Sequence, residues 1–322
     1  MYIKVMFNPT EIIFATTTLC NLHCAHCFVN RQPCSLNSQA AINFLRSAHD
    51  SANSSIEKVG FSGGEPFLTI PFLCDVIKAS IDMDFMFDRI MTNGDWWKNE
   101  DDLKTSLQRV YDAGYDGKIG LSYDNFHGQN EDRIVTFIKS VWKIFGTDAL
   151  EIQSVNSTST LPSISEKLKS LSERLNLGYE ENISDSGRGI ASLSDEGHFI
   201  PAYIQTESYQ ADDPRAFRDS AWFREDYCES MGQLLFVHAT GDIAPCCGFA
   251  NESQPLLIGK VTDTFDAVLG KAGRNKMVKI CYEEGLSRQA TLLEKKGKLP
   301  GKTSDACTLC DLLCRQGGRE RP

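Results

Sequence analysis

Cys20, Cys24 and Cys27 lie within eight residues, spaced by three and then two residues, directly after a β-prone run from Ile12 to Thr17. Thiolates on one compact loop can hold three irons of a 4Fe-4S cluster and leave the fourth iron open to a small chelating molecule. A zinc site is the alternative, and it needs a fourth protein ligand, for which His23, His26 or Cys34 stands nearby. The chain carries 12 cysteines in 322 residues, and Met1-Tyr2-Ile3-Lys4 starts no basic-then-apolar signal, so a cytosolic location is expected. Thiols stay reduced there, so metal or redox chemistry explains them better than disulfides.

The cysteines fall into two groups. Cys20, Cys24, Cys27 and Cys34 crowd the N-terminal part, Cys74 stands alone, and seven lie between Cys228 and Cys314. Cys34 and Cys74 read as ordinary small buried residues. A formal charge of -10 argues against a nucleic-acid surface. The run around Lys295, Lys296, Lys298 and Lys302 reads as a solvated helix end. No apolar run approaches the roughly 20 residues of a membrane span, so no membrane partner is expected.

From residue 10 to about 183, short β-prone runs alternate with helix-spaced stretches, the pattern of βα units around a parallel sheet. Strands are expected at Ile12–Thr17, Lys58–Phe61, Arg89–Thr92, Lys118–Ser122 and Leu150–Val155. Helices are expected near Ser38–Ser51, Ile70–Ile81, Asp101–Ala113, Glu131–Phe145 and Ser163–Leu175. About six such units make a partial (β/α)6 TIM-like barrel, short of the eight that close one. Residues 184–226, rich in Gly, Pro and polar side chains, read as a linker with functional loops. Beyond it, Leu234–His238 and Asp242–Pro245 resemble a hairpin, a helix follows from Asp263, and residues 227–322 form a small Cys-rich C-terminal domain.

The cysteine loop resembles that of the radical SAM superfamily. Ser62-Gly63-Gly64-Glu65-Pro66, after the second expected strand, matches the superfamily's Gly-Gly-Glu-Pro motif. The resemblance implies that Gly63, Gly64, Glu65 and Pro66 bind S-adenosylmethionine, with Glu65 accepting hydrogen bonds from its ammonium. Asn93 in Met91-Thr92-Asn93-Gly94, and Ser122 and Asp124 in Ser122-Tyr123-Asp124, are the implied polar contacts to the ribose or methionine part. Arg188 in Ser186-Gly187-Arg188-Gly189 is the implied partner of the methionine carboxylate. His26 stands where the superfamily prefers an aromatic ring and is expected to pack beside the cluster.

Cys228, Gly241 and Cys246 resemble the opening of the auxiliary-cluster domain called SPASM, and Cys307-Thr-Leu-Cys310, followed by Cys314, supplies further thiolates. The implied arrangement is a shortened module with one auxiliary 4Fe-4S cluster held by Cys228, Cys246, Cys307 and Cys310. Cys314 is a substitute or a spare, and Cys281 is structural or functional. Four thiolates also suit tetrahedral zinc, so that alternative stays open.

Two adjacent thiolates seldom bind one cube comfortably, so the Cys246-Cys247 doublet leaves one thiol free. In radical SAM peptide epimerases such a thiol quenches a Cα radical. The chain resembles that group also in Gly60-Phe-Ser-Gly-Gly-Glu65, Thr92-Asn-Gly-Asp-Trp96, Ser122-Tyr-Asp-Asn-Phe-His127 and Gly241-Asp-Ile-Ala-Pro-Cys-Cys247. The resemblance makes Cys247 the hydrogen-atom donor, a ribosomally made precursor peptide the substrate, and a protein such as flavodoxin or ferredoxin the reductant. Phe126 and His127 are placed at the barrel mouth, His127 with a substrate or cofactor role or as an ordinary buried histidine. Thioether or carbon-carbon crosslinking of a peptide is the alternative chemistry, and a non-catalytic metal-binding protein the alternative class.

Overall fold

The computed structural model describes residues 7–317 except 31, 157–162, 185, 186, 224–226 and 229. Its elements in chain order are β1 (Glu11–Ala15), α1 (Ser38–His49), β2 (Lys58–Ser62), α2 (Ile70–Asp82), β3 (Met86–Thr92), α3 (Glu100–Asp112), β4 (Lys118–Ser122), α4 (Glu131–Phe145), β5 (Leu150–Asn156) and α5 (Ile164–Leu175). There follow β6 (Gly178–Ile183), β7 (Gly189–Ser194), β8 (Phe199–Thr206), β9 (Leu234–Val237), β10 (Asp242–Ala244), β11 (Gly259–Lys260), α6 (Phe265–Ala272), α7 (Lys276–Lys279), α8 (Leu286–Lys295) and α9 (Ala306–Gly317).

The chain divides into two compact units, one from residues 15–38 and 59–207, the other from residues 1–14, 39–58 and 208–322. In the first, the strand order is β2-β3-β4-β5-β8-β7-β6. β3 pairs with β4, β4 with β5 and β5 with β8 in parallel, and β8, β7 and β6 continue antiparallel. Alternating strands and helices around a parallel sheet are consistent with a partial TIM-like barrel.

The local sequence explains these elements. Val59 and Phe61 of β2 and Ile119 and Leu121 of β4 are buried, as strands covered by helices require. The Asn130 side chain accepts the backbone N–H of Arg133 and starts α4, while Ile134, Phe137, Ile138 and Val141 bury its apolar stripe. Ser163 and Glu166 form a reciprocal capping box on α5, which ends at Asn176 in the left-handed conformation.

The segment from Ser184, expected as linker and loops, instead supplies β7 and β8. Its strands are hidden by glycines and polar residues, yet both keep the period of two: Ala191 and Leu193 are buried in β7, and Ile200, Ala202 and Ile204 in β8. The parallel strand next to β5 is therefore β8, reached only after the β6–β7 ribbon.

In the second unit, β1 pairs in parallel with β9, and β9, β10 and β11 form an antiparallel set that contains the expected hairpin. α1 lies against α6 through Phe44 and Phe265, whose ring centroids are 6.3 Å apart, and the Ser47 hydroxyl accepts the Phe265 N–H at 2.9 Å. Among the described residues, no helix is long and apolar enough to cross a membrane.

Candidate active site: two sets of thiols

The loop that carries Cys20, Cys24 and Cys27 is held at both ends by backbone. The Thr16 N–H donates to Ser62 O at 2.9 Å and the Leu36 N–H to Thr16 O at 2.9 Å. The Thr18 N–H and the Thr17 hydroxyl both donate to Cys34 O, so Cys34 contributes its carbonyl to loop structure. Gly63 and Gly64 pack directly on this loop. The Gly64 N–H donates to Thr17 O at 2.6 Å, and the Glu65 N–H to Leu19 O at 2.8 Å. A Cβ on Gly64 would sit 2.2 Å from Leu19 O, and Gly63 has a φ of +135. Only glycine meets both conditions. The motif thus secures the cysteine loop as well as lining the space beside it.

That space is a cavity of about 300 Å³ lined by Cys20, Cys24 and Cys27 with Gly63, Gly64, Asn93, Ser122 and His127, among others. Burial, and then the charges of Glu65, Cys24 and Cys27, hold the Cys20 thiol above its ordinary pKa, although the Leu22 N–H works the other way. A metal that displaces these protons is the natural complement of such a set. The donor set fits an iron-sulfur cluster with one iron left without a thiolate, because no fourth thiol lines the cavity among the described residues.

Glu65 is fully buried. One oxygen accepts the Phe67 N–H at 3.1 Å and the Thr92 hydroxyl at 2.9 Å, and the other accepts the Asn93 N–H at 2.8 Å. Three of about four acceptor positions are therefore used within the protein, and Glu65, like Pro66, is not among the cavity-lining residues. Burial pushes the Glu65 pKa up to about 7. Pro66 opens the short 3-10 turn that Glu65 caps.

Asn93 donates from its side chain to Asn21 at 2.9 Å and toward Cys20 Sγ at 3.7 Å. Ser122 lines the cavity, and its carbonyl accepts from Gln129 Nε2 at 2.6 Å, as does the carbonyl of Asn93. Gln129 thereby ties the ends of β3 and β4 together. The sequence reading missed it, since a single Gln before a helix cap carries no motif.

Asp124 is fully buried and does not line the cavity. Its oxygens accept the Phe126 N–H at 2.9 Å and the Val155 N–H at 3.2 Å, and Oδ1 lies 2.7 Å from His127 Nδ1. Burial works against a charged His127 ring, but hydrogen bonds to Asp124 and Cys24 outweigh it and hold the pKa up at about 9. Burial also disfavours the Asp124 anion, and His127 more than offsets this, so the Asp124 pKa is lowered. The His26 ring packs 4.7 Å from Phe126 and 5.0 Å from His127. Ligand atoms of His26, Asp124 and His127 lie within 4.8 Å of one another.

Arg188 donates to the Thr206 hydroxyl at 3.1 Å and is not among the cavity-lining residues. Ser186 of its motif lies outside the described residues. The Cys74 thiol lies 3.5 Å from Arg109 O in α3, away from the cavity lining.

The second unit gathers the other thiols. Cys307, Cys310 and Cys314 are spaced by three and four residues on α9 and so share one face of the helix. At its first turn the helix meets the turn after the doublet: a Cβ on Gly248 would lie 2.8 Å from Cys307 Sγ. Cys281, in a π turn over Ile280–Glu284, places its Sγ 3.8 Å from that of Cys310. Burial, followed by the Cys228 thiol, raises the Cys246 pKa, and Cys307 feels both Cys228 and Cys246. Cys228, Cys246, Cys307 and Cys310 therefore belong to one neighbourhood, with Cys281 and Cys314 as further members.

The doublet is split. Cys246 is buried, whereas Cys247 is exposed. Crowding by surrounding atoms, then the neighbouring Cys228 thiol, keeps the Cys247 pKa above its ordinary value.

Comparison with known proteins agrees with this picture. The family described as "4Fe-4S single cluster domain" matches residues 12–135. A Bacillus subtilis (strain 168) chain named for peptide biosynthesis, YydG, is 22% identical over 318 residues, covering 96% of this chain and 92% of the relative. The GTP 3',8-cyclase of Chlorobaculum tepidum is 27% identical over 147 residues, 43% of this chain and 42% of that one. The structure of native anSMEcpe with bound AdoMet and Cp18Cys peptide superposes with a TM-score of 0.56 at 13% identity, covering 96% of this chain and 95% of that one.

The family match agrees with the cysteine loop on a 4Fe-4S site within residues 12–135, and the chain is similar in fold to the S-adenosylmethionine-bound anSMEcpe. Its particular likeness is to YydG, which it matches over nearly the whole length of both chains.

Proposed function

We propose that this enzyme acts on a ribosomally made peptide and inverts an L-residue to its D-form, with Cys247 as the hydrogen-atom donor. The observation that carries this reading is the division of the doublet: Cys246 is buried among the other thiols while Cys247 is accessible. A donor must hold its hydrogen at neutral pH, and the raised pKa keeps Cys247 a thiol. The peptide-related name of YydG and the peptide bound to anSMEcpe support a peptide substrate.

In this reading Cys20, Cys24 and Cys27 hold a 4Fe-4S cluster, and Cys228, Cys246, Cys307 and Cys310 hold an auxiliary one. The barrel expected over residues 1–183 also takes in β8, and residues 227–322 carry the auxiliary ligands. When bound, the first cluster and S-adenosylmethionine together supply a 5'-deoxyadenosyl radical by one-electron reductive cleavage. Gly63 and Gly64 keep the cysteine loop in place for that pair, Glu65 offers its remaining acceptor position to the methionine ammonium, and Asn93 and Ser122 offer polar contacts. The peptide loses its Cα hydrogen atom and receives the sulfur-bound hydrogen of Cys247 on the opposite face. One electron from a flavodoxin- or ferredoxin-type reductant and one proton from solvent restore the thiol.

The test is turnover of a precursor peptide in deuterated water by the anaerobically reconstituted enzyme, followed by mass spectrometry. Wild type should add one deuterium per modified residue, and Cys247→Ala should make 5'-deoxyadenosine without that incorporation. A peptide that loses two hydrogens, with Cys247→Ala indistinguishable from wild type, would replace epimerisation by crosslinking.

A further inference from the structure

The polar groups of Asn93, the first residue after β3, are all engaged within the protein. Its backbone N–H goes to Glu65 and its carbonyl takes Gln129 Nε2. Its side-chain Oδ1 accepts the Asp95 N–H at 2.8 Å, which fixes the orientation of the amide. Nδ2 then donates one N–H to Asn21 Oδ1 at 2.9 Å and directs the other toward Cys20 Sγ at 3.7 Å. Asn21 in turn donates from its own amide to Asp95 O at 3.0 Å. Three hydrogen bonds thus close a ring through Asn93, Asn21 and Asp95, and the second lone pair of Asn93 Oδ1 is what that side chain has left for a ligand. The ring is anchored from α4. Arg133 pairs with the Asp95 carboxylate, donates to Asp95 O at 3.2 Å and to Trp97 O, and lays its guanidinium 3.6 Å from the centre of the Trp97 ring. The Asn130 N–H takes the other Asp95 oxygen at 3.1 Å.

We propose that Asn93 donates its second amide N–H to the Cys20 sulfur of the cluster borne by Cys20, Cys24 and Cys27 and thereby raises the reduction potential of that cluster, with Asn21, Asp95 and Arg133 as the positioning residues that aim it. The inference rests on the reading of those three thiols as cluster ligands and needs nothing of the peptide chemistry. A carboxamide does not titrate in the working pH range, so the donor is present whatever the state of the neighbouring thiols. An N–H donated to a ligand thiolate stabilises the more electron-rich, one-electron-reduced cluster, which raises the potential. Asn93 is buried, so water competes little for this bond and the low local dielectric strengthens it. The Leu22 N–H, 3.4 Å from the same sulfur, is a second donor that side-chain substitution leaves in place. Loss of the Asn93 amide therefore removes part of the stabilisation at Cys20 and spares the rest.

A ring that merely holds the loop would affect stability and iron content but not the potential, so the potential is the quantity to measure. The protein is reconstituted anaerobically and titrated with dithionite under electron paramagnetic resonance, without S-adenosylmethionine or peptide. The signal missing from a variant with Cys20, Cys24 and Cys27 all changed to Ala identifies the relevant cluster. Its midpoint should fall in Asn93→Ala, and fall further in Asn93→Asp, which keeps an acceptor for the Asp95 N–H but turns a carboxylate oxygen toward the sulfur. Arg133→Ala should lower it by less, and should add nothing in the Asn93→Ala background, because Arg133 acts through Asn93. The other signal should stay in place. Asn93→Ala with wild-type iron and an unchanged midpoint would overturn the proposal, and an Arg133→Ala shift that persists undiminished without the Asn93 amide would overturn the positioning role. If the Asn93 variants fail to hold iron, unchanged midpoints in both Asn21→Ala and Arg133→Ala would overturn it equally. A triple variant that loses no signal would remove the cluster assignment and this inference with it. A failed search for a peptide product would leave the measurement untouched.

Discussion

Glu65 accepts the backbone N–H of Asn93 at 2.8 Å, so the residue that follows β2 fixes the end of β3. The same carboxylate also takes the Phe67 N–H and the Thr92 hydroxyl. One buried side chain therefore stitches two strand ends at the mouth of the cysteine cavity.

The Glu65 pKa gives stability a pH dependence of definite sign. Burial lifts it from 4.5 to about 7, so between these values the folded chain binds more protons than the unfolded one. Stability contributed by this site is present at the acid end and is lost as pH rises toward 7. Glu65→Gln should flatten that slope in urea denaturation followed from pH 5 to 8. It should also lower stability overall by about 1–3 kcal/mol, because an amide N–H₂ then faces a buried donor.

Gly64→Ala should uncouple the cysteine loop from the sheet. The added Cβ would sit 2.2 Å from Leu19 O, and backbone on both sides has to shift. Expected is a large loss of iron at the first site, measured per chain after reconstitution, with far-UV circular dichroism close to wild type. Gly197→Ala is the control: its Cβ meets only Asp195 Oδ1, at 3.8 Å, and its effect should stay within about 0.5 kcal/mol.

The second thiol set predicts a graded pattern of iron loss. Cys246→Ala and Cys307→Ala should each cost roughly half of the iron, about four atoms per chain, if one cube is lost. Cys247→Ala should retain full iron, since that thiol is the accessible member of the doublet. Equal losses from Cys246→Ala and Cys247→Ala would remove the distinction between ligand and donor.

Ser163→Ala breaks one half of the capping box on α5, where the Glu166 N–H donates to the Ser163 hydroxyl at 3.2 Å. The loss should be about 1 kcal/mol in chemical denaturation, with iron binding unchanged.

Much of this architecture was legible where local chemistry and tertiary role agree. α4 runs over Glu131–Phe145 as read, because its Asn130 cap, acidic first turn and apolar stripe all point to one element. The spacing of Cys20, Cys24 and Cys27 announced a shared site for the same reason: thiols so near in sequence stay near in any fold. β7 and β8 were not legible, because Gly189, Pro201 and the polar outward positions mask an alternation that only sheet pairing makes visible. Nor does sequence say that Asp124 turns away from the cavity toward His127, or that Gln129 reaches both Asn93 O and Ser122 O. Such contacts depend on where separate strand ends finish in space. The place of Cys281 beside Cys310 has the same origin: a π turn offsets the helical spacing, and no count of residues reveals which thiol it will meet.

β5 pairs with β8 directly, residue for residue from Ile152 opposite Ala202 to Asn156 opposite Thr206, while β6 and β7 lie beyond β8 at the end of the sheet. The ribbon is thus a passenger on the crossover that joins β5 to β8. A chain that ran from α5 straight into β8 would keep each parallel pairing of this unit. Sequence in the ribbon can therefore be lengthened, shortened or exchanged without rethreading the strands that carry the cysteine loop's supports. In a fold reused for many substrates, it is a natural position for divergence and a practical one for grafting.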